Sequence, residues 1–305
     1  MASLNLSLRH LEVFCAVVER GSLSDAAHFL HVSPSGISLA LTELERRIGT
    51  QLTVRIRGKG VAITPAGHSV YRSAKKAIHA VEEIDTAVAA ARGEVAGPLR
   101  IGVFTTLSPW VFPAMAEFFA TAHPGVSLEV EEEPSSALQA MLLDGELDAA
   151  ILYENHLVGD VDSQLITPVR LQLALSAEHP LAESEAVSLQ SLRDDHAIIF
   201  GVRPVSDHVE EVLRDAGLPL RVRWRSRNIE TVRALVARNL GYAVIMGRPH
   251  GDHSYEGKPI VYRPIAEELP PNALVMATAR GTQPTAKVQS LLRFCREELS
   301  GLWQR

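Results

Sequence analysis

Residues 31–49 read HVSPSGISLALTELERRIG, and what this segment forms decides the fold. Ser33 is a capping residue, and Pro34 at the first helical position loses only an N–H that would have no partner there. Ile37, Leu41, Leu44 and Ile48 recur at helical spacing, so they form the buried stripe. The outward positions of the first turns carry Ser35, Gly36, Ser38, Leu39 and Ala40, with no long polar side chain among them. Such a helix either packs or reads a partner by short contacts, and its flanks decide which.

Upstream, Leu8, Leu11, Phe14, Cys15 and Val18 predict a first helix over Leu8–Glu19. In GSLSDAAHFL, Gly21 breaks the chain, Ser22 or Ser24 caps, and Ala26, Ala27 and Leu30 face inward. Two short helices around the turn His31-Val32-Ser33 make a helix-turn-helix, at about 23–42. Downstream, LTVRI and VAIT are β-prone runs joined by RGKG, a turn with Arg55, Arg57 and Lys59 around it. A basic-tipped hairpin after a helix-turn-helix is a wing. Thr64-Pro65 then starts a long helix to about Ala91, whose stripe Ala66, Val70, Ala74, Ala77, Val81, Ile84 and Val88 needs a partner, most simply its own copy. RGEVAGP, 92–98, reads as a linker.

Beyond it strands and helices alternate. LRIGVF, a helix over Pro109–Ala122, VSLEVEE, a helix over Ser136–Leu143 and LDAAILY form a βαβαβ unit. A second set has strands at VRLQLALS, HAIIFG, LRVRWRSR and GYAVIM and helices at Val205–Ala216 and Ile229–Asn239; NALVMATA and a helix over Pro284–Leu299 close the chain. Two α/β lobes of this kind hold a ligand in the cleft where strand C-termini and helix N-termini converge.

Bulk properties agree. The 305 residues need more than one core, and 46% hydrophobic with 22% charged residues is a globular composition. Residues 1–92 carry 11 Lys+Arg against 8 Asp+Glu, the remainder 19 against 28: a mildly basic head on an acidic body. Glu12, Glu19 and Arg20 interrupt the first apolar segment, which reads as neither signal peptide nor membrane span, so a cytoplasmic setting is expected. Cys15 and Cys295 lie in opposite helical patterns, as reduced buried thiols would. The chain holds no G-x-G-x-x-G, P-loop, H-E-x-x-H, G-x-S-x-G or C-x-x-C, so no enzyme, cofactor or metal site is expected.

LRHLEVFCAVVERGSLSDAAHFLHVSPSGISLALTELERRIGTQLTVRIRGKGVAITPAG resembles the winged-helix domain of LysR-type transcriptional regulators almost position by position. GPLRIGV, LLDGELDAAI, HPLA, DAGLP and LVARNLGYAVI resemble the family's effector-binding half, in order. The resemblance implies a winged helix-turn-helix over 8–65, a linker and dimerisation helix over 66–92 and an effector-binding α/β domain over 97–305. The latter has a first lobe at about 97–165 and 266–305 and a second at about 166–265. It also implies double-stranded DNA, a small-molecule effector and the chain itself as partners, dimeric through the linker helix and tetrameric beyond it, with RNA polymerase a further candidate. Where the family often carries Gln and Arg or Lys on the reading helix, this chain has Pro34, Leu39 and Ala40; where a proline is frequent in the later strand, Met246-Gly247-Arg248 stands.

The DNA-binding candidates are Ser24, Ser33, Pro34, Ser35, Gly36, Ser38, Leu39, Thr42, Arg46, Arg55, Arg57 and Lys59. Hydroxyls reach phosphates or base edges, Leu39 meets thymine methyls, and the cations supply the salt-sensitive phosphate attraction. Bidentate base contacts are lacking, so DNA shape, the wing and half-site spacing must contribute to specificity. The competing reading is a packing helix and a solvated turn.

Effector candidates are Thr105, Thr106 and Ser108 before a helix, Tyr153 at a strand end, Phe200 and Arg203 in the second lobe, and Met246 with Arg248. They lean toward a small carboxylate as effector, with an aromatic ring as a further candidate feature; a plain helix cap and surface arginines are the alternatives. RVRWRSR places Arg221, Arg223, Arg225 and Arg227 on one strand face, a solvated or interface surface, with Trp224 turned to the core. His250, Asp252 and His253 form a loop without standard metal spacing. The rival function is a two-lobed cytoplasmic solute-binding protein without DNA readout, which leaves residues 8–92 unexplained.

Overall fold

The computed structural model describes residues 6–56, 60–92, 94–247 and 251–299. Contacts divide the chain into two units, residues 1–98 with 125–127 and 141–147, and residues 99–124, 128–140 and 148–305. Arg57, Lys59, Arg248 and His250, all singled out in the sequence, lie outside the described residues, as does the side chain of Val88.

The first unit begins with α1 (Leu8–Arg20), α2 (Leu23–Phe29) and α3 (Pro34–Ile48). Each starts on a serine: Ser7, Ser22 and Ser33 accept backbone N–H groups of the first turn, and of the two capping candidates for α2 it is Ser22 that caps. Gly21 and Gly49 end α1 and α3 in the left-handed conformation. Val13, Phe14, Ala26, Ala27, Ile37, Leu41 and Leu44 form one core, and the two alanines let helices approach closely. Between α2 and α3, His31 turns the chain at φ 53°.

The wing is an antiparallel hairpin of β1 (Thr53–Ile56) and β2 (Gly60–Ile63). Its docking explains Gly60: the Val61 N–H donates to the Gly21 carbonyl at 2.8 Å, and a Cβ on Gly60 would stand 2.2 Å from that oxygen. Gly67, on the first turn of α4 (Pro65–Ala91), similarly lies where a Cβ would meet the Leu52 carbonyl at 2.1 Å. The 27 residues of α4 extend about 40 Å. Near its start Tyr71 and Lys75 reach back to Glu19 of α1, each at 2.9 Å, and Ala74 is buried. Farther along, Val81 and Ile84 stay 43% and 60% exposed, so among the described residues the middle of the stripe is not covered within this chain.

The second unit holds most of one lobe and the whole of another. In the first, β3 (Gly97–Phe104), α5 (Ser108–Ala122), β4 (Val126–Glu133), α6 (Ser135–Leu143) and β5 (Ala149–Tyr153) are followed by β6 (Val161–Val169). In the second, β7 (Leu171–Ser176), β8 (Ala197–Phe200), α7 (Val205–Asp215), β9 (Val222–Ser226), α8 (Ile229–Ala237), β10 (Ala243–Met246) and β11 (Ile260–Pro264) follow. Then β12 (Asn272–Ala279) returns to the first lobe, and α9 (Ala286–Phe294) runs into a π-helical turn, Cys295–Leu299. The first sheet is ordered β4-β3-β5-β12-β6, with β3 and β5 parallel and β12 antiparallel to both its neighbours. β5 and β12 are almost wholly buried, as central strands covered on both faces must be. The second lobe has β10-β7-β11 and β8-β9, joined by a bridge from Ala197 to Tyr242.

β6 and β11 carry no strand expectation from the sequence; both are short on apolar alternation, with Asp162, Ser163 and Gln164 in one and Arg263-Pro264 in the other. One orientation is corrected. Trp224 is 45% exposed, not turned to the core, because β9 pairs only with β8 and lies at the edge of its sheet. Arg223 stacks over its ring, 5.8 Å from the centroid. Among the described residues no helix is long and apolar enough to cross a membrane.

Candidate functional site

Two surfaces carry the chemistry. On the first unit, Ser33, Pro34, Ser35, Gly36, Leu39 and Thr42 are exposed along one side of α3. Ser33 Oγ accepts the Gly36 N–H at 3.1 Å and lies 3.0 Å from Ser35 Oγ, so the helix start is held by hydroxyls that retain capacity for a further partner. Leu39 is 73% exposed, a large apolar side chain with little intramolecular packing. Arg55 crosses from the wing, its Nη2 donating to Ser38 Oγ at 2.8 Å. Ser24 lines the same surface hollow as Arg55, between α2 and the wing. Ser24, Ser38 and Arg55 thereby join α2, α3 and the wing into one surface.

Arg46 is exposed but already engaged. Glu43 accepts from Arg46 Nε at 2.8 Å and Nη2 at 2.7 Å, and from Arg47 Nε at 2.5 Å. These hydrogen bonds, with the two positive charges, hold the Glu43 carboxyl at about 2, well below the usual range. A phosphate approaching Arg46 must compete with a carboxylate on the next turn. Glu43 is not among the candidates from the sequence, although Glu43-x-x-Arg46-Arg47 has the i,i+3 and i,i+4 spacing of helical ion pairs. Nor is Glu45, whose Oε1 accepts the N–H groups of Leu52 and Thr53 at 2.8 and 3.0 Å. That carboxylate ties the wing to the end of the reading helix.

On the second unit, a cavity of about 150 Å³ opens between the lobes. The first lobe contributes Phe104, Thr106, Pro109, Trp110 and Tyr153, from the end of β3, the start of α5 and the end of β5. The second contributes strand ends, Phe200 and Val244–Met246, and helix starts, Val205, Ile229 and Glu230 with Arg233 behind them. The convergence of strand ends and helix N-termini is the geometry that α/β sheets use for ligands. Tyr153 is buried; its hydroxyl is hydrogen-bonded with Thr106 and donates toward the Met246 carbonyl at 3.4 Å, linking the lobes. Burial raises its phenol far above the ordinary value, so it stays protonated.

Thr106, Tyr153, Phe200 and Met246 of the sequence candidates therefore meet at one cavity. Three others do not. Thr105 is outside the lining, Ser108 is buried under the start of α5 at 1% exposure, and the side chain of Arg203 is 84% exposed and paired with Asp207 at 3.4 Å. Glu230 and Arg233 line the cavity too, and no motif or spacing in the sequence singles them out. Arg233 is 5% exposed and donates from Nε to Tyr262 (2.9 Å), from Nη1 to both oxygens of Glu230 (2.6 and 2.8 Å), and from Nη2 to the carbonyls of Gly251 and His253 (both 2.9 Å). The loop of Asp252 and His253 thus supplies backbone acceptors through Gly251 and His253, and the His253 ring pairs with Asp252 at 2.6 Å.

Behind the aromatic floor, His156 packs edge-on against Phe104 and Tyr153, with both centroid distances 5.2 Å. Its Nδ1 meets Ser135 Oγ at 2.8 Å, while Nε2 is buried without a partner. Burial, then the charge of His208, lowers its pKa to about 4, so the ring is neutral near pH 7. Cys15 and Cys295 are both buried, and burial pushes each thiol up to about 12.

Residues 8–68 match the model of the bacterial regulatory helix-turn-helix proteins of the lysR family, and residues 92–300 match the LysR substrate-binding domain. Among curated proteins, HTH-type transcriptional regulator BenM of Acinetobacter baylyi is 27% identical, with 96% of each chain covered. A probable hydrogen peroxide-inducible genes activator of Mycobacterium avium is 30% identical over 77% of this chain and 76% of its own. Among solved structures, HinK, a LysR family transcriptional regulator from Pseudomonas aeruginosa, is 29% identical with a TM-score of 0.65, covering 98% of this chain and 100% of that one.

Proposed function

Because this chain belongs to the LysR family, as a DNA-binding transcription regulator with an effector-binding domain, we propose that a ligand closing the two lobes changes the geometry of an oligomer on promoter DNA. The observation that carries this reading is the cavity itself: its walls come from both lobes, and Tyr153 of one reaches the Met246 carbonyl of the other. A ligand filling it contacts both lobes at once and so favours one relative placement of them. Self-association is supported by α4, whose exposed Val81 and Ile84 a second copy would cover. Two heads in a dimer then read half-sites whose spacing the body sets. The protein works in the cytoplasm, by binding rather than turnover, and RNA polymerase is its downstream partner.

In this reading, exposed Ser33, Pro34, Ser35, Gly36, Leu39, Thr42 and Arg55, with Ser24, Ser38 and Arg46, form the DNA face, and Arg57 and Lys59, which follow β1 in the sequence, add phosphate attraction. Thr106, Tyr153, Phe200 and Met246 contact the effector. Peroxide sensing, suggested by the name of the mycobacterial relative, is not carried over: it needs an accessible thiolate, and both thiols here are buried and protonated. A solute-binding role without DNA leaves the exposed face of α3 and the wing without a task. DNase footprinting and circular-permutation bending with a cavity-binding ligand test the mechanism. A ligand-dependent change in footprint length or bend supports it; transcription that responds while footprint and bend stay unchanged overturns it.

A further inference from the structure

Resting on the reading of the interlobe cavity as the effector site, we infer that its ligand is an uncharged single-ring aromatic compound with a hydroxyl-type polar group, not a carboxylate or an ammonium. The size comes first: about 150 Å³ is the volume of an apolar cavity that accepts benzene. The walls agree, since four of the lining residues, Phe104, Trp110, Tyr153 and Phe200, are aromatic and suit a ring.

Charge decides between head groups. The charged side chains lining the cavity, among the described residues, are Glu230 and Arg233, and they neutralise each other. A guanidinium has five N–H donors, and the five hydrogen bonds of Arg233 to Tyr262, Glu230, Gly251 and His253 use them all. This arginine is a wall, with no fork left for a carboxylate. An incoming anion would also lie beside the Glu230 carboxylate, and desolvating an ion costs more than the helix N-termini that converge here return. The N-terminus of α8 is moreover already occupied, by the Asn228 side chain on the N–H groups of Glu230 and Thr231. An ammonium fares no better, because Glu230 is engaged and the helix ends that converge here are positive. A neutral hydroxyl meets a ready partner in Thr106 Oγ1, which is bonded to Tyr153 and keeps a further lone pair.

The test is titration calorimetry on the full-length protein at pH 7 with three matched probes, benzyl alcohol, benzoate and benzylamine, and with toluene as the ring alone. Benzyl alcohol is expected to bind at least tenfold more tightly than either charged probe. Ile229→Trp, which fills the cavity from the start of α8, is expected to abolish binding, and Thr106→Val to weaken benzyl alcohol while leaving toluene unchanged. If benzoate or benzylamine binds as tightly as the alcohol or more so, the ligand class is overturned and the effector-cavity reading stands. If none of the four binds, or if binding ignores both substitutions, the cavity reading falls and this inference with it.

Discussion

Leu39→Ala tests whether this thin reading helix reads at all. Leu39 projects from α3 with 73% of its surface exposed, so truncation costs the fold little, and alanine is an equal or better helix former. Burying a whole leucine side chain is worth about 1.5–3 kcal/mol. Covering most of it against a thymine methyl, less the Cβ that alanine retains, leaves about 1–2 kcal/mol at stake. That is about a 5- to 30-fold loss in affinity. Fluorescence anisotropy at one fixed salt concentration, on the native operator and on a scrambled duplex, measures it. The native duplex should weaken by that factor, the scrambled one by less than about twofold, with the salt slope unchanged because no phosphate contact is removed. Equal losses on both duplexes would refute the reasoning, and so would no loss on either.

Glu43→Gln should release Arg46, tighten binding to both duplexes and steepen the log–log salt dependence by about 1, read from an anisotropy salt series. Gly60→Ala puts a Cβ against the Gly21 carbonyl and strains a residue at φ +85°, so urea unfolding of the head should show a loss of about 1–3 kcal/mol. His156 binds a proton less readily folded, at about 4, than unfolded, at about 6.5, so its contribution is complete above pH 6.5. It should be lost as pH falls toward 4, by roughly 3 kcal/mol, and the pH dependence of Tm should be flatter in His156→Gln over that window.

The head was legible because its signals are local. Ser22 and Ser33 caps, Pro34, Gly21 and the Ala26-Ala27 pair each fix one turn, and all sit within a few residues of what they determine. Glu45 was not legible in the same way, since its partners Leu52 and Thr53 lie beyond a chain reversal. In the second unit strand ends and helix starts could be placed, which brought Thr106, Tyr153, Phe200 and Met246 to one cavity. Arg203 and Ser108 show the limit. They belong to suitable segments, but whether a side chain points into the cleft, to solvent or under a helix depends on tertiary packing that the segment alone does not encode. Trp224 misled for a related reason: alternation along β9 assigns faces, but not whether the outer face is covered. The Glu230–Arg233 pair has helical spacing, yet its role as cavity wall comes from Tyr262 and the 251–253 backbone.

The most direct measurement is anisotropy binding of the full-length protein to the intergenic DNA upstream of its own coding sequence and to a scrambled duplex of equal length, across a salt series. The account predicts tighter binding to the native duplex at every salt concentration, with the preference persisting at moderate salt, where the shared phosphate attraction has weakened. Equal and equally salt-steep binding to both duplexes would contradict it, since the exposed face of α3 and the wing would then hold only the backbone of DNA.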